Sequence, residues 1–355
     1  MSVPVNHKFK HLNIIDLNAF IRDDWLMQRI AIIGAGLSGV TLANSLKEHF
    51  KISLFEKSYS PGGRVASRNV EPYSFDHGAQ YFKVKSKAFQ DLINPLLSEN
   101  VVAPWQARFV EMCNQGITKQ TLWDDKHPHY VGVPNNRAFV EHLSRGLSIT
   151  LHSRVVEMKK VNQQWALKAE GDAPLGLFDW VVCAVPVPQT QALLAKANLK
   201  YNAISGIKMQ ACYALMLGFE DKMDLGFDAA MVKDETISWI SNNSSKPMRE
   251  KGFSLLINST NDWADTHFNQ NDDWVIERMK STVSNIINQD LSNPQFCALK
   301  RWKYANCKRQ DEQPYLIDNT NKIGLCGDWF MGGRIESAFK SGHQLALAML
   351  KNAHV

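Results

Sequence analysis

Three glycines give the chain its first chemical signal: Gly34, Gly36 and Gly39 stand in the run Gly34-Ala35-Gly36-Leu37-Ser38-Gly39. The β-branched residues of Arg29 to Ile33 precede them and read as a fully buried parallel strand, and Val40 to Phe50 continues as a helix. A second strand, Lys51 to Phe55, ends at Glu56, 20 residues beyond Gly36. Strand, glycine turn, helix and distal carboxylate together are the context that a dinucleotide fingerprint requires. Gly34 permits the tight turn, Gly36 lets backbone approach a pyrophosphate, and Gly39 allows close packing of helix on strand. Leu37 and Ser38 open a helix whose free N–H groups and positive dipole end suit phosphate. Glu56, with Lys57 beside it, can accept hydrogen bonds from ribose hydroxyls. The fingerprint alone leaves FAD and NAD both open.

Further along, Pro61-Gly62-Gly63-Arg64 sets a flexible backbone beside a fixed cation. That arrangement suits a second approach to a pyrophosphate; the alternative is a surface turn with a solvated arginine. Phe75-Asp76-His77-Gly78-Ala79-Gln80-Tyr81-Phe82 is either a cofactor-facing element or an aromatic-rich core strand with Asp76-His77 as a turn. Leu151 to Lys159 has strand character, with Val156 as the candidate for a backbone contact to adenine. Phe178 to Pro186 reads as a buried strand stopped by a proline. Lys322 to Cys326 is a last strand, Gly327-Asp328-Trp329 its exit, and Gly332-Gly333-Arg334-Ile335-Glu336 the lead into a helix through about Leu350.

The middle of the chain reads as sheet. Met209 to Phe219, Thr236 to Ser241 and Phe253 to Ser259 are strands, Asp272 to Gln289 is an amphipathic helix, and Phe296 to Tyr304 a returning strand. Trp302 and Tyr304 share one face of that strand, as a wall for a flat substrate or as core packing. Lys246 in Asn242 to Pro247 is a phosphate ligand or a turn lysine. His127 and His129 with Cys113 lack a fourth ligand at useful spacing, so an exposed loop and no metal are expected. No nucleophile-elbow pattern supports Ser-His-Asp or Cys-His catalysis.

With these residues set out, the chain resembles the bacterial renalase-type FAD-dependent oxidoreductases, a branch of the flavin amine oxidase superfamily. The resemblance is carried by GAGLSG (34–39), PGGR (61–64), DHGAQYF (76–82), YVGVP (130–134), DWVVCAVPVPQ (179–189), NSSKP (243–247), RWKYA (301–305) and LCGDW, GGRIESAF and SG within 325–342. It implies an α/β chain, a Rossmann-like FAD-binding domain with an inserted antiparallel-sheet substrate domain, p-hydroxybenzoate hydroxylase-like or amine oxidase-like. It also implies non-covalent FAD held by Gly34, Gly36, Leu37, Ser38, Gly39, Glu56, Lys57, Gly63, Arg64, Gly78, Ala79, Gln80, Tyr81, Val156, Asp328, Arg334 and Ile335. Gly78 and Ala79 would admit the flat ring, Gln80 and Tyr81 face its reacting side, and Asp328 hold the ribityl chain. The N-terminus of the last helix would meet the ring's pyrimidine rim, where negative charge collects on reduction.

The activity implied is removal of a hydride from the 2- or 6-dihydronicotinamide isomers of NAD(P)H, giving NAD(P)+ and, with O2, H2O2. Trp302, Tyr304, Gln80, Tyr81 and Asn258 would line the substrate. Family members often have His at Asn258, but hydride transfer from a dihydropyridine needs no proton abstraction. The alternatives are an amine oxidase or other substrate-oxidising member of the superfamily, and a flavin-binding protein without turnover.

Composition bounds these readings. The 355 residues are 45% hydrophobic and 21% charged, with 40 Lys and Arg against 35 Asp and Glu, which excludes wholesale disorder. At ~150 residues each, two domains are expected: 27–95, 130–200 and 306–355 for FAD, and 96–129 with 201–305 for substrate. No run reaches the ~18–20 apolar residues of a membrane helix. A net charge of +5 is too dilute to argue for nucleic acid. The six cysteines include no CxxC pair, and Cys183 and Cys326 lie in apolar strands, which favours a reducing, cytoplasmic setting. Residues 1–26 lack a signal-peptide pattern. They are either a tail with Leu12, Ile15, Leu17 and Phe20 loosely helix-spaced, or the product of a mis-assigned start, with Met27 as the true one.

Overall fold

The computed structural model describes residues 27–113, 116–249, 251–308, 310 and 313–353. The readings made for residues 1–26 lie outside these. Arg29–Ile33, buried at every position after the first, runs through the middle of a six-stranded sheet. The order is Tyr315–Asp318, Ile323–Cys326, Trp180–Cys183, Arg29–Ile33, Lys51–Phe55, Ile149–Thr150. Every neighbouring pair is parallel except the outermost, between Tyr315–Asp318 and Ile323–Cys326.

Both faces of this sheet are covered, which is why its central strands are continuously apolar. Ile30 and Ile32 pack with Val40, Leu42, Leu345 and Met349 of the helices Leu37–Leu46 and Ile335–Ala353. Ala31 and Ile33 pack instead with Met158, Trp165 and Phe178 of a three-stranded antiparallel sheet, Val155–Val161, Gln164–Ala169 and Pro174–Phe178. The first of these strands begins later than the expected Leu151, because Ile149–Thr150 joins the main sheet and the chain must cross between the two.

A second, seven-stranded sheet runs Phe296–Cys307, Met209–Phe219, Phe253–Ser259, Ile237–Asn242, Ala229–Lys233, Arg108–Cys113, Gly116–Leu122. One face, through Tyr213, Leu215, Leu255 and Ile257, packs on Val275, Met279 and Val283 of the helix Asp272–Ile287. That helix is capped by Asn271, which accepts from Trp274 N at 2.8 Å, and ends two residues short of the expected Gln289. Asn288 turns left-handed there, at φ 50°. The sheet departs from the antiparallel expectation at one pair, Ala229–Lys233 beside Arg108–Cys113, which is parallel. The chain contributes to this sheet twice, first as the Arg108–Leu122 hairpin and again from Met209, so strands far apart in sequence become neighbours. Among the described residues no helix is long and apolar enough to cross a membrane.

Candidate active site and cofactor cleft

Between the two sheets lies a cleft of about 2040 Å³, roughly twice the upper end of an ordinary small-ligand site at ~1,000 Å³. Every residue expected to meet cofactor or substrate lines it, except Gly39. Gly39 is packed away: a Cβ there would sit 2.1 Å from the Gly34 carbonyl oxygen, and Gly34 itself is at φ +106°. Gly36 is the opposite case, with nothing within 4 Å of a built Cβ. It stands at the N-cap of Leu37–Leu46, where no side chain caps the first turn, so those N–H groups face the cleft unclaimed. The second glycine turn abuts the first, with Gly62 N bonded to Ala35 O at 2.9 Å. Glu56 is buried and accepts from Ala35 N at 3.0 Å and Ser58 N at 2.9 Å, which anchors its carboxylate beside the turn.

Sequence reasoning assigned Arg64 and Asp328 to different parts of a cofactor, and the structure joins them. The Arg64 guanidinium holds both Asp328 carboxylate oxygens, one at 3.0 Å, and also donates to Ala305 O at 3.3 Å. Val156 falls where the register of its strand breaks, and its carbonyl accepts from Lys196 Nζ at 2.9 Å. Gly78 has a packing reason to be glycine, since a Cβ would stand 2.0 Å from Arg64 O.

Asp76, which the sequence places either in a cofactor-facing element or in a turn of a core strand, is the centre of a buried network. It accepts from Ser67 Oγ at 2.6 Å, Asn136 N at 2.9 Å, Lys246 Nζ at 3.1 Å and Arg249 Nη2 at 2.7 Å. Burial alone would raise its carboxyl, but Lys246 and Arg249, with the Ser67 and Asn136 hydrogen bonds, hold it well below the usual carboxylate range. Burial pulls Lys246 down to about 8, so both groups are charged at neutral pH. Lys246, read as a phosphate ligand or a turn lysine, does close a turn, its N–H on Asn243 O at 3.3 Å, but its side chain is fully buried against Asp76 and over the Trp105 ring at 5.1 Å. Gln80 is held by the same network, donating to Asp76 O and Gly78 O and accepting from Ser241 Oγ at 3.1 Å.

At the far wall Trp302 is locked in place. Its Nε1 donates to His77 O at 2.8 Å, its ring stacks on His77 at 5.6 Å, and Lys300 Nζ lies over it at 5.0 Å. Burial, then Lys300, lowers His77 to about 4, leaving the imidazole neutral. Tyr304, partly buried like Trp302, has Lys303 Nζ over its ring at 5.8 Å. The strand continues past it to Cys307, and its register breaks between the partners Gln210 and Cys212. Asn258 sits opposite Trp239 and Ala214 on the side of the sheet that lines the cleft. Tyr81 backs onto Trp123 at 4.8 Å, His129 at 5.1 Å and Trp239 at 5.7 Å. His129 was expected in an exposed loop but is buried, stacked flat on Trp123 at 3.7 Å and pushed to about 4, by burial first and Lys83 second. Among the described residues no group of three or more His, Cys, Asp or Glu could hold a metal ion.

Comparison with known proteins matches residues 32–96 to an NAD(P)-binding Rossmann-like domain and residues 103–350 to the flavin containing amine oxidoreductase family. The chain belongs to the flavin-containing amine oxidoreductases. It is 22% identical to renalase of Mus musculus over 351 residues, 92% of this chain and 98% of that protein. A local match at 36% identity links 72 residues, 19% of this chain, to the Prenylcysteine oxidase 1-like protein of Mus musculus, of whose length it spans 14%. Cyclohexylamine oxidase from Brevibacterium oxydans IH-35A has the same fold, at TM-score 0.69 and 11% identity over 93% of this chain and 100% of that one.

As a flavin-containing amine oxidoreductase the chain is an FAD-dependent enzyme, and its own cradle fits that cofactor: an uncapped helix start, two abutting glycine turns and open space at Gly36. The two glycines separate folding from binding. Gly36→Ala is expected to fold normally and to weaken FAD binding at least about tenfold, because its methyl enters the space left for the diphosphate. Gly39→Ala is expected to destabilise the apoprotein itself by ~1–3 kcal/mol or more, through collision with Gly34 O. Thermal unfolding of the apoproteins and fluorescence titration with FAD separate the two; wild-type FAD affinity in Gly36→Ala would reject the cradle.

Proposed function

We propose that this flavoenzyme takes a hydride from the 2- or 6-dihydronicotinamide isomers of NAD(P)H, yielding NAD(P)+ and, with O2, H2O2. The observation that carries the reading is the charge of the cleft. Among the described residues, thirteen lysine and arginine side chains line it against three carboxylates, Glu56, Asp328 and Glu336. Each carboxylate is already engaged: Glu56 by backbone N–H groups, Asp328 by Arg64, Glu336 by Lys340 and the N–H groups of Lys85 and Ser86. A cleft of that sign favours a phosphate-bearing substrate and disfavours an ammonium ion. The similarity to renalase along nearly the whole chain points the same way.

Bound in the cleft, FAD supplies a two-electron acceptor that O2 regenerates, with release of H2O2. The protein's part is to hold and exclude. Gly34, Gly36, Leu37, Ser38, Gly63 and Arg64 would take the diphosphate, Glu56 and Lys57 the ribose side, and Asp328 the ribityl chain. Tyr304, Tyr81 and the Trp302–His77 pair would confine a flat ring. Loss of hydride converts the dihydropyridine to an aromatic pyridinium without loss of a proton, so Asn258 need not act as a base. His77 and His129, both held neutral, are likewise not needed as acids.

Anaerobic mixing tests the reading. The 2- and 6-dihydro isomers of NADH and NADPH are expected to bleach the flavin at least about a hundred times faster than primary amines. Bleaching by amines alone would overturn it.

A further inference from the structure

Glu336 does more than pair with Lys340. Its two carboxylate oxygens accept from Lys85 N at 2.9 Å and Ser86 N at 2.8 Å, tying the segment around Lys85 to the head of the last helix. That join gathers three cations: Lys83 and Lys85 from one side, Arg334 from the other. All three line the cleft, and none has a carboxylate partner among the described residues. Their closeness is felt by their neighbours. Burial, then Lys85 and Arg334, pulls the Lys83 ammonium down; Arg334 acts on Tyr81, and Lys83 on His129.

Like charges lining one cleft raise the local concentration of anions there. The glycine cradle that fits the cofactor's diphosphate is built from other residues, Gly34 to Gly39 and Gly62-Gly63. The cluster adjoins Tyr81, expected at the reacting face. We propose that Lys83, Lys85 and Arg334 form a second anion subsite, which binds the diphosphate of a dinucleotide substrate while its nicotinamide lies in the aromatic part of the cleft. This moves the Arg334 side chain from cofactor to substrate. The owner of the diphosphate rests on the function proposed above; the subsite itself does not.

The test uses the FAD-loaded enzyme, inorganic diphosphate as probe, and the double variant Lys83→Gln/Lys85→Gln, whose exchanged side chains are exposed. Calorimetry is expected to show diphosphate binding to the wild type, weakened at least about tenfold in the variant. In turnover, KM for the dihydronicotinamide dinucleotide isomers should rise at least about ten times more than KM for the matching ribosides, which carry no phosphate. Equal diphosphate binding by both proteins, or a parallel rise for dinucleotide and riboside, would overturn the subsite. If diphosphate binding is lost in the variant and neither protein oxidises the isomers, the subsite stands and the proposed function falls.

Discussion

Asp76→Asn is expected to destabilise the folded chain by about 3–5 kcal/mol at neutral pH, because it leaves Lys246 and Arg249 as buried cations without their counter-charge. All three side chains are fully buried. The pH dependence has a definite sign. The folded-state carboxyl is held below its ordinary value of 3.8, so the contribution is fully present above about pH 5. It fades as pH falls below ~4, first as the unfolded chain takes up the proton and then as the folded chain does. The gap between wild type and Asp76→Asn in urea unfolding should therefore be widest near pH 7 and narrow toward pH 3. Lys246→Met should be milder, since Asp76 keeps Arg249, Ser67 and Asn136. A gap unchanged between pH 7 and pH 3 would show that the ion cluster is not its source. The network also aims Gln80 and the adjoining Tyr81, so flavin retention should fall along with stability in Asp76→Asn.

What could be read from the sequence and what could not divides by distance along the chain. The fingerprint lies within 28 residues, Arg29 to Glu56, and each of its parts constrains its neighbour by local physics. Met209–Phe219 and Phe253–Ser259 match the expected bounds because long apolar runs between polar breaks leave little choice. Asp76 gave no such signal: its cations are 170 and 173 residues away, in a loop whose lysine had two equal readings. His129 misled for a related reason. Beside His127 and Pro128 it has the composition of a surface loop, and only the distant packing of Tyr81 on Trp123 makes a buried site for it. Glu336 stood in a quoted motif, yet its bond to the backbone of Lys85 and Ser86 spans some 250 residues. Residue types can propose a partner for a buried charge, but the pairing itself is set by the meeting of two sheets.

The Arg64–Asp328 bridge is such a meeting, and breaking it is expected to release the flavin. The two residues are 264 apart, one beside the second glycine turn and one at the exit of Ile323–Cys326. Their side chains are 27% and 10% exposed, and the bond is two-pronged, so the pair is shielded from solvent and geometrically fixed. Loss of a charge-assisted hydrogen bond of this kind is worth about 1.5–3 kcal/mol, which corresponds to roughly 10- to 150-fold in FAD affinity if the pair shapes the cleft. Arg64→Met and Asp328→Asn should each weaken FAD binding by that order. The double variant should weaken it by much less than the product of the two, with a coupling of about 0.5–3 kcal/mol, because either change alone already frees both walls. Fluorescence titration of the four apoproteins measures the cycle. Strictly multiplicative losses would mean that Arg64 and Asp328 meet the cofactor separately, each on its own wall, and that the bridge between them plays no part in holding it.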